Sequence, residues 1–495
     1  MTNNSKLKRF LFCVLVFLSL ACLFGLFYVR RNFVLIGTNP IAQILFHTIV
    51  QIDGADPTFI KGIVRDIVII PFIGTILIYL FVYGDFGFLK KLHENVFFRF
   101  LGKWNIIFSL IAFIMCFGLL SVYLKLPEYI RVYTSTSSLY EDEYVDPAQV
   151  KFVFPEKKRN LIYIFLESVE TSDYSKEQGG ALNYNCIPEL YDLAEKNLTF
   201  NHNKGYEVAP GASWTVASMI AQSSGIPLNI PIGENDFVTS NKFLPGAYSL
   251  GEVLEKEGYN NELIIGSDAV FSGRKYYYEM HGNYTIHDYN YFCESGRFDS
   301  EKAEWWGMID RYLWEMAKED LLELSKKDEP FNLTLLTVDT HHQDGIVCPD
   351  CRDEFPDQLA NVYACSSRKV ADFIDWCKKQ DFYEDTTIVI VGDHCSMSTS
   401  FDELIGDFDR KAYYTIINSA IESNSSRERK LSAFDFYPTT LSAMGVEFEG
   451  DKLGLGVDLF SGIDTLCEKY GKAAFFELLK EHSIYYDNKI LYGFE

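Results

Sequence analysis

Hydrophobic and polar positions change period sharply along this chain. Three uncharged apolar runs dominate its first part: Phe10 to Val29, Ile67 to Tyr83 and Trp104 to Leu124. Each is about long enough to cross a hydrocarbon layer of roughly 30 Å as a helix. The pattern therefore predicts a helical transmembrane region over residues 1–125. No small-residue cleavage site follows the first run, which ends in Tyr28-Val29-Arg30-Arg31, so it is expected to remain as an anchor. Phe33 to Ile52 also lacks charge, but Asn39, Pro40, Gln43, His47 and Thr48 are costly in lipid. An interfacial or re-entrant segment is therefore expected there; a fourth span would reverse the side of everything downstream unless the N-terminus also flipped.

A polar connector covers residues 126–158, and the period then changes again. Asn160 to Leu166 is a continuous apolar run, as a strand buried on both faces requires. Similar runs recur at Asn261 to Ile265, Phe331 to Val338, Thr386 to Val391 and Tyr413 to Ile417. Helical patterns lie between them at Ile187 to Glu195, Val216 to Gln222, Leu250 to Lys256, Lys302 to Lys326 and Ser366 to Lys379. This alternation predicts an α/β domain over residues 159–495 with a mostly parallel central sheet and helices on both faces. Its site belongs beyond the carboxyl ends of the strands.

Charge sharpens the division. Residues 1–135 carry 13 Lys and Arg against 6 Asp and Glu, whereas the remainder carries 32 against 62. So acidic a domain repels nucleic acid, which removes that class of partner. Lys6, Lys8 and Arg9 before the first run, and Lys90, Lys91, Arg99 and Lys103 before the third, fit cytoplasmic loops. That puts the acidic domain outside the cytoplasmic membrane, with Arg30 and Arg31 breaking the rule. Eight of the 11 cysteines fall in the acidic domain. Cys348-Pro349-Asp350-Cys351 has the spacing of half a zinc site, but no second such pair follows, so a disulfide to Cys365 is the expected use.

Three polar clusters close buried runs: Glu167-Ser168, Asp339-Thr340-His341-His342 and Asp393-His394. Carboxylates and imidazoles gathered at strand ends suit a divalent metal. A fourth element, Gly211-Ala212-Ser213-Trp214-Thr215, leads into an apolar helix. A hydroxyl at a helix start is commonly just a cap. The same geometry, with free N–H groups and the helix dipole, also seats a phosphate.

Taken together these clusters resemble the alkaline phosphatase/sulfatase superfamily, as do Cys186-Ile187-Pro188-Glu189-Leu190 and Asp435 to Gly445. Trp214-Thr215, Ser224-Gly225-Ile226-Pro227-Leu228 and Gly454-Leu455-Gly456 resemble its sulfatase-like membrane transferases, which include lipoteichoic acid synthase and the periplasmic glucan phosphoglycerol transferase. The resemblance covers about residues 158–462 and implies a sulfatase-like α/β sandwich. It implies one divalent metal held by Glu167, Thr215, Asp393 and His394, with Mn²⁺ the first choice and Mg²⁺ or Zn²⁺ compatible. Thr215 would be the nucleophile and His341 the substrate-side acid–base group, with His342 and Arg274 binding substrate. The implied reaction moves a phosphoglycerol headgroup from phosphatidylglycerol, through a phosphothreonine, to a polysaccharide or glycolipid acceptor at the membrane. Phosphoethanolamine transfer by the same nucleophile stays open, as does an inactive binding protein. A true sulfatase needs Cys-x-Pro-x-Arg at the nucleophile, and position 215 is Thr.

Overall fold

A computed structural model of the chain describes residues 3–32, 41, 44, 57–84, 96–229, 242–304, 306–341, 344–422 and 428–494. The chain divides into two compact units. One contains residues 1–33 and 55–131, and the other 34–54 and 132–495.

In the first unit, three helices are long and apolar enough to cross a membrane: Ser5–Asn32, Ile60–Tyr83 and Gly102–Tyr123. The first two contain the apolar runs read from the sequence, and the third contains its run but for Leu124. The second and third leave Phe72, Leu77, Ile114, Met115 and Val122 exposed, as helices facing lipid do. A Cβ at Gly74 would lie 2.9 Å from Leu20, so the small residue lets the first two helices approach. The segment 33–52 lies outside the described residues apart from positions 41 and 44, as do Lys90 and Lys91.

The second unit is built around a six-stranded sheet. In chain order its strands are β1 (Phe152–Val153), β2 (Asn160–Leu166), β3 (Asn260–Ile265), β4 (Thr285–His287), β5 (Phe331–Leu336), β6 (Thr386–Gly392), β7 (Tyr414–Ile417), β8 (Glu447–Phe448), β9 (Lys452–Leu453) and β10 (Gly456–Val457). The large sheet runs β4-β3-β5-β2-β6-β7, while β1 pairs with β8 and β9 with β10 as small antiparallel ribbons. Strands β4, β3, β5, β2 and β6 are mutually parallel and β7 joins antiparallel, so the sheet is mostly parallel. Strands β5 and β6 are buried along their whole length, as their unbroken apolar runs require. Helices Pro188–Lys196, Asp310–Leu324 and Gln358–Cys377 cover one core through Leu190, Leu313, Ala317, Tyr363 and Phe373.

Three details depart from the sequence reading. Strand β4 was not expected, nor were the two-residue strands β1, β8, β9 and β10. The helix expected from Lys302 starts at Asp310, because Ser300–Lys302 forms a separate tight turn capped by Asp299. The helix expected from Ser366 starts eight residues earlier, at Gln358, where the Asp357 carboxylate accepts from the N–H groups of Leu359 and Ala360.

Candidate active site

Strands β2 and β6 run side by side, with Leu166 opposite Gly392. The next residue on each strand is Glu167 and Asp393, so parallel pairing alone sets two carboxylates beside each other at the carboxyl edge. Gly392 is required there, because a Cβ would lie 1.8 Å from the Val169 carbonyl oxygen. The chain after β2 makes that close approach through Ser168, which sits in the left-handed region at φ 58°. Ser168 uses the turn fully. Its N–H donates to Asp393 Oδ1 at 2.8 Å and its hydroxyl to Glu167 Oε1 at 2.6 Å. The backbone of each acid is pinned as well: Thr340 Oγ1 donates to the Glu167 carbonyl, and Tyr206 and Ser218 hydroxyls donate to that of Asp393.

His394 completes the cluster. Its Nδ1 lies 2.9 Å from the Cys395 carbonyl, an acceptor, so in the neutral ring Nδ1 carries the proton and Nε2 presents its lone pair. That Nε2 lies 3.4 Å from Asp393 Oδ2 and 3.6 Å from Glu167 Oε1. Ligand atoms of Glu167, Asp393 and His394 all lie within 4.8 Å of one another, and all three residues are buried. Asp393 Oδ2 is buried with no hydrogen-bond partner. Burial, then the Glu167 charge, push the Asp393 carboxyl up to about 7. Burial would also raise Glu167, but His341 and His394 draw it below its ordinary value. Two carboxylates sharing a dry pocket, one with an orphaned oxygen, and an imidazole lone pair aimed between them fit a divalent cation.

Thr215 opens the helix Thr215–Ser224 after an extended Trp214. Its Oγ1 donates to Glu167 Oε2 at 3.3 Å and lies 3.4 Å from His394 Nε2. The hydroxyl thus touches the cluster while standing at the positive end of a helix dipole.

His341 follows β5, and its ring lies 4.4 Å, centre to centre, from that of Trp306. Its charge is felt by Glu167. Asp339, two residues earlier, does not join the cluster. It accepts from the Asp310 N–H at 2.9 Å and pairs with Lys369 Nζ at 3.4 Å, so it braces the turn that delivers His341. Arg274 heads the helix Arg274–Met280 behind two left-handed residues, Ser272 and Gly273. It is 4 % exposed, donates to the carbonyls of Phe271 and Asp268 and to Ser267 Oγ, and its charge also reaches Glu167. Burial brings its guanidinium down to about 10. The sequence-expected residues Glu167, Thr215, Asp393 and His394 therefore come together, His341 and Arg274 act on them electrostatically, and His342 lies outside the described residues. Ser168, Thr340 and Trp306 were not singled out in these roles. Ser168 and Thr340 carried a signal, their adjacency to Glu167 and His341.

Comparison with known proteins places this geometry in a family. The chain is 30% identical over 329 residues, 64% of its length, to phosphoglycerol transferase I of Escherichia coli O127:H6 (strain E2348/69 / EPEC). That match spans 41% of the relative, so the chain spans about two-fifths of the length of the curated relatives it matches. Lipoteichoic acid synthase LtaP from Listeria monocytogenes shares the fold, with a TM-score of 0.50, 17% identity, and coverage of 63% of this chain and 79% of that one. A protein in the alkaline phosphatase superfamily from Vibrio parahaemolyticus aligns over 64% of this chain and 72% of its own, at 21% identity and a TM-score of 0.48. The sulfatase family model matches residues 159–446, more than half of the sequence, and the chain belongs to the sulfatase family.

Proposed function

We propose that the chain is a metal-dependent phosphotransferase that moves the phosphoglycerol headgroup of phosphatidylglycerol onto a polysaccharide or glycolipid acceptor. The observation that carries this reading is the Thr215 hydroxyl, set at a helix N-terminus within 3.4 Å of both Glu167 and His394. A phosphoglycerol transferase at 30% identity supports the donor. Glu167, Thr215, Asp393 and His394 would hold one divalent cation, with Mn²⁺ favoured over Mg²⁺ and Zn²⁺. When bound, that cation supplies positive charge to the phosphoryl group and favours ionisation of Thr215.

In the first step Thr215 Oγ, already ionised and regenerated in that form at the end of the cycle, forms a bond to phosphorus as the bond to the diacylglycerol oxygen breaks. His341, beside the pocket, gives the departing oxygen its proton. Arg274 neutralises charge on the non-bridging oxygens, its guanidinium already fixed by three hydrogen bonds. The phosphothreonine diester is then attacked by an acceptor hydroxyl that yields its proton to His341, and Thr215 is released. His342 is assigned to the substrate side. The membrane region, residues 1–125, would anchor the enzyme as a multi-pass protein, with 126–158 as connector and 159–495 outside the cytoplasmic membrane. The catalytic unit would then share its side of the membrane with the headgroups of the outer leaflet.

The test is diacylglycerol release from fluorescent phosphatidylglycerol and phosphatidylethanolamine by the detergent-solubilised full chain with Mn²⁺. Release from phosphatidylglycerol, abolished in Thr215→Ala, supports the reading. Release from phosphatidylethanolamine alone transfers it to phosphoethanolamine, and release from neither overturns it.

A further inference from the structure

A second cluster of metal-binding character lies apart from the Glu167 centre. Cys348 and Cys351 sit on the segment that follows His341, and Cys365 lies in the helix Gln358–Cys377. Cys348 Sγ is 3.6 Å from Cys351 Sγ and 3.6 Å from Cys365 Sγ, and all three sulfurs lie within 4.8 Å of one another. All three are free thiols, so the expected disulfide to Cys365 is not formed.

We propose that Cys348, Cys351 and Cys365 form a three-thiolate site for a soft divalent cation, zinc in the first instance. Three lines of geometry and charge carry it. Sulfurs bound to one tetrahedral zinc at about 2.3 Å stand about 3.8 Å apart, close to the spacing found here. A disulfide needs about 2.05 Å and uses only two of the three thiols, leaving one buried against the pair. The Cys348-Pro349-Asp350-Cys351 step has ligand spacing, and the Cys351 N–H closes it as a tight turn by donating to the Cys348 carbonyl at 3.0 Å.

Charge is partly compensated as well, by a lysine shared with Asp339. Three thiolates and a divalent cation leave one negative charge, and Lys369 Nζ stands 3.1 Å from Cys348 Sγ. The site is half enclosed. Cys348 and Cys365 are buried against Ile309, while Cys351 lies at the partly exposed edge. Among the described residues no fourth protein ligand joins the three sulfurs. The consequence is mechanical. The cation fastens the segment leaving His341 to the helix Gln358–Cys377, and Lys369 links the same cluster to Asp339, which braces the His341 turn.

Zinc content and thiol chemistry of the purified full chain test this. In Asp393→Ala, which removes a ligand of the other centre, about one equivalent of zinc should remain, and adding Cys351→Ser should remove it. Wild type loaded with Co²⁺ should show the thiolate-to-cobalt charge-transfer band, which a carboxylate and histidine centre lacks. That spectrum needs no variant, so misfolding cannot mimic a negative result. Absence of the band, or recovery of a Cys348–Cys351 or Cys348–Cys365 disulfide by peptide mapping without reductant, overturns the proposal.

Discussion

Removing the Arg410 guanidinium should destabilise the catalytic unit strongly, and the cost can be worked from its contacts. Arg410 Nε donates to Glu170 Oε2 at 2.7 Å, and its Nη2 donates to Glu170 Oε1 and to the Ser396 carbonyl. A third arm reaches Asp402 at 3.0 Å. The Asp402 side chain is 39% exposed and contributes little. Glu170 is fully buried, so Arg410→Met leaves a carboxylate in a dry site beside Asp173, another buried acid. Breaking a buried pair from one side costs about 3–5 kcal/mol. That is a large part of the roughly 5–15 kcal/mol that holds an ordinary domain together.

The companion variant separates charge from packing. Glu170 Oε1 also accepts the Ser396 N–H at 3.1 Å, so Glu170→Gln keeps that bond while removing the charge. The double variant Glu170→Gln/Arg410→Met should therefore recover most of the loss, ending within about 1–2 kcal/mol of wild type. Denaturant unfolding followed by tryptophan fluorescence reads this unit, because five of the six tryptophans lie beyond residue 200. Ser396 is two residues past His394, so Arg410→Met should also weaken divalent-cation binding by about 10-fold. A loss below about 1 kcal/mol in the single variant, or no recovery in the double, would refute the argument that an unpaired buried charge sets the cost.

Thr215→Ala should lower turnover by on the order of 10⁴-fold while the chain still binds divalent cation through Glu167, Asp393 and His394; loss of both together would mean a structural role for the hydroxyl. Chelation should abolish diacylglycerol release and Mn²⁺ should restore it, with Asp393→Ala resisting restoration. Stability should also fall between about pH 6.5 and 9. Burial alone would lower His287, but its contacts with Asp320 at 2.8 Å and Glu262 at 3.2 Å push it up to about 9. An imidazolium raised in this way stabilises the fold fully below its unfolded value near 6.5 and stops doing so as pH rises through 9. The span corresponds to roughly 3 kcal/mol before screening at the partly hydrated ring, and the slope should vanish in His287→Gln. Ser168→Ala keeps the N–H bond to Asp393 but loses the one to Glu167, so it should weaken metal binding several-fold, read by calorimetry, without unfolding the chain.

Legibility of the site followed from how its residues are delivered. Glu167, Asp393 and His394 directly follow buried parallel strands and His341 follows one five residues on, and such strands announce themselves as unbroken apolar runs. The same run that reveals the strand therefore points to the residue it presents. Strand β4, only Thr285–His287, is too short and too polar to make that signal, and it pairs solely because β3 offers an edge. Arg274 is placed by two successive left-handed residues and by the Phe243 ring, 2.6 Å from where a Cβ on Gly273 would stand. No periodic pattern encodes that.

The cysteines show the limit most clearly. Cys351 and Cys365 are separated by a loop and about two helical turns, and where that helix starts decides whether the sulfurs can meet. Asp357 starts the helix at Gln358, which puts Cys365 inside it, where it packs with Cys348 and Ile309. A helix starting at Ser366 would have left Cys365 outside it, in the preceding loop. The choice between a disulfide and a three-sulfur site therefore turned on a single N-cap, a local feature whose consequence is tertiary.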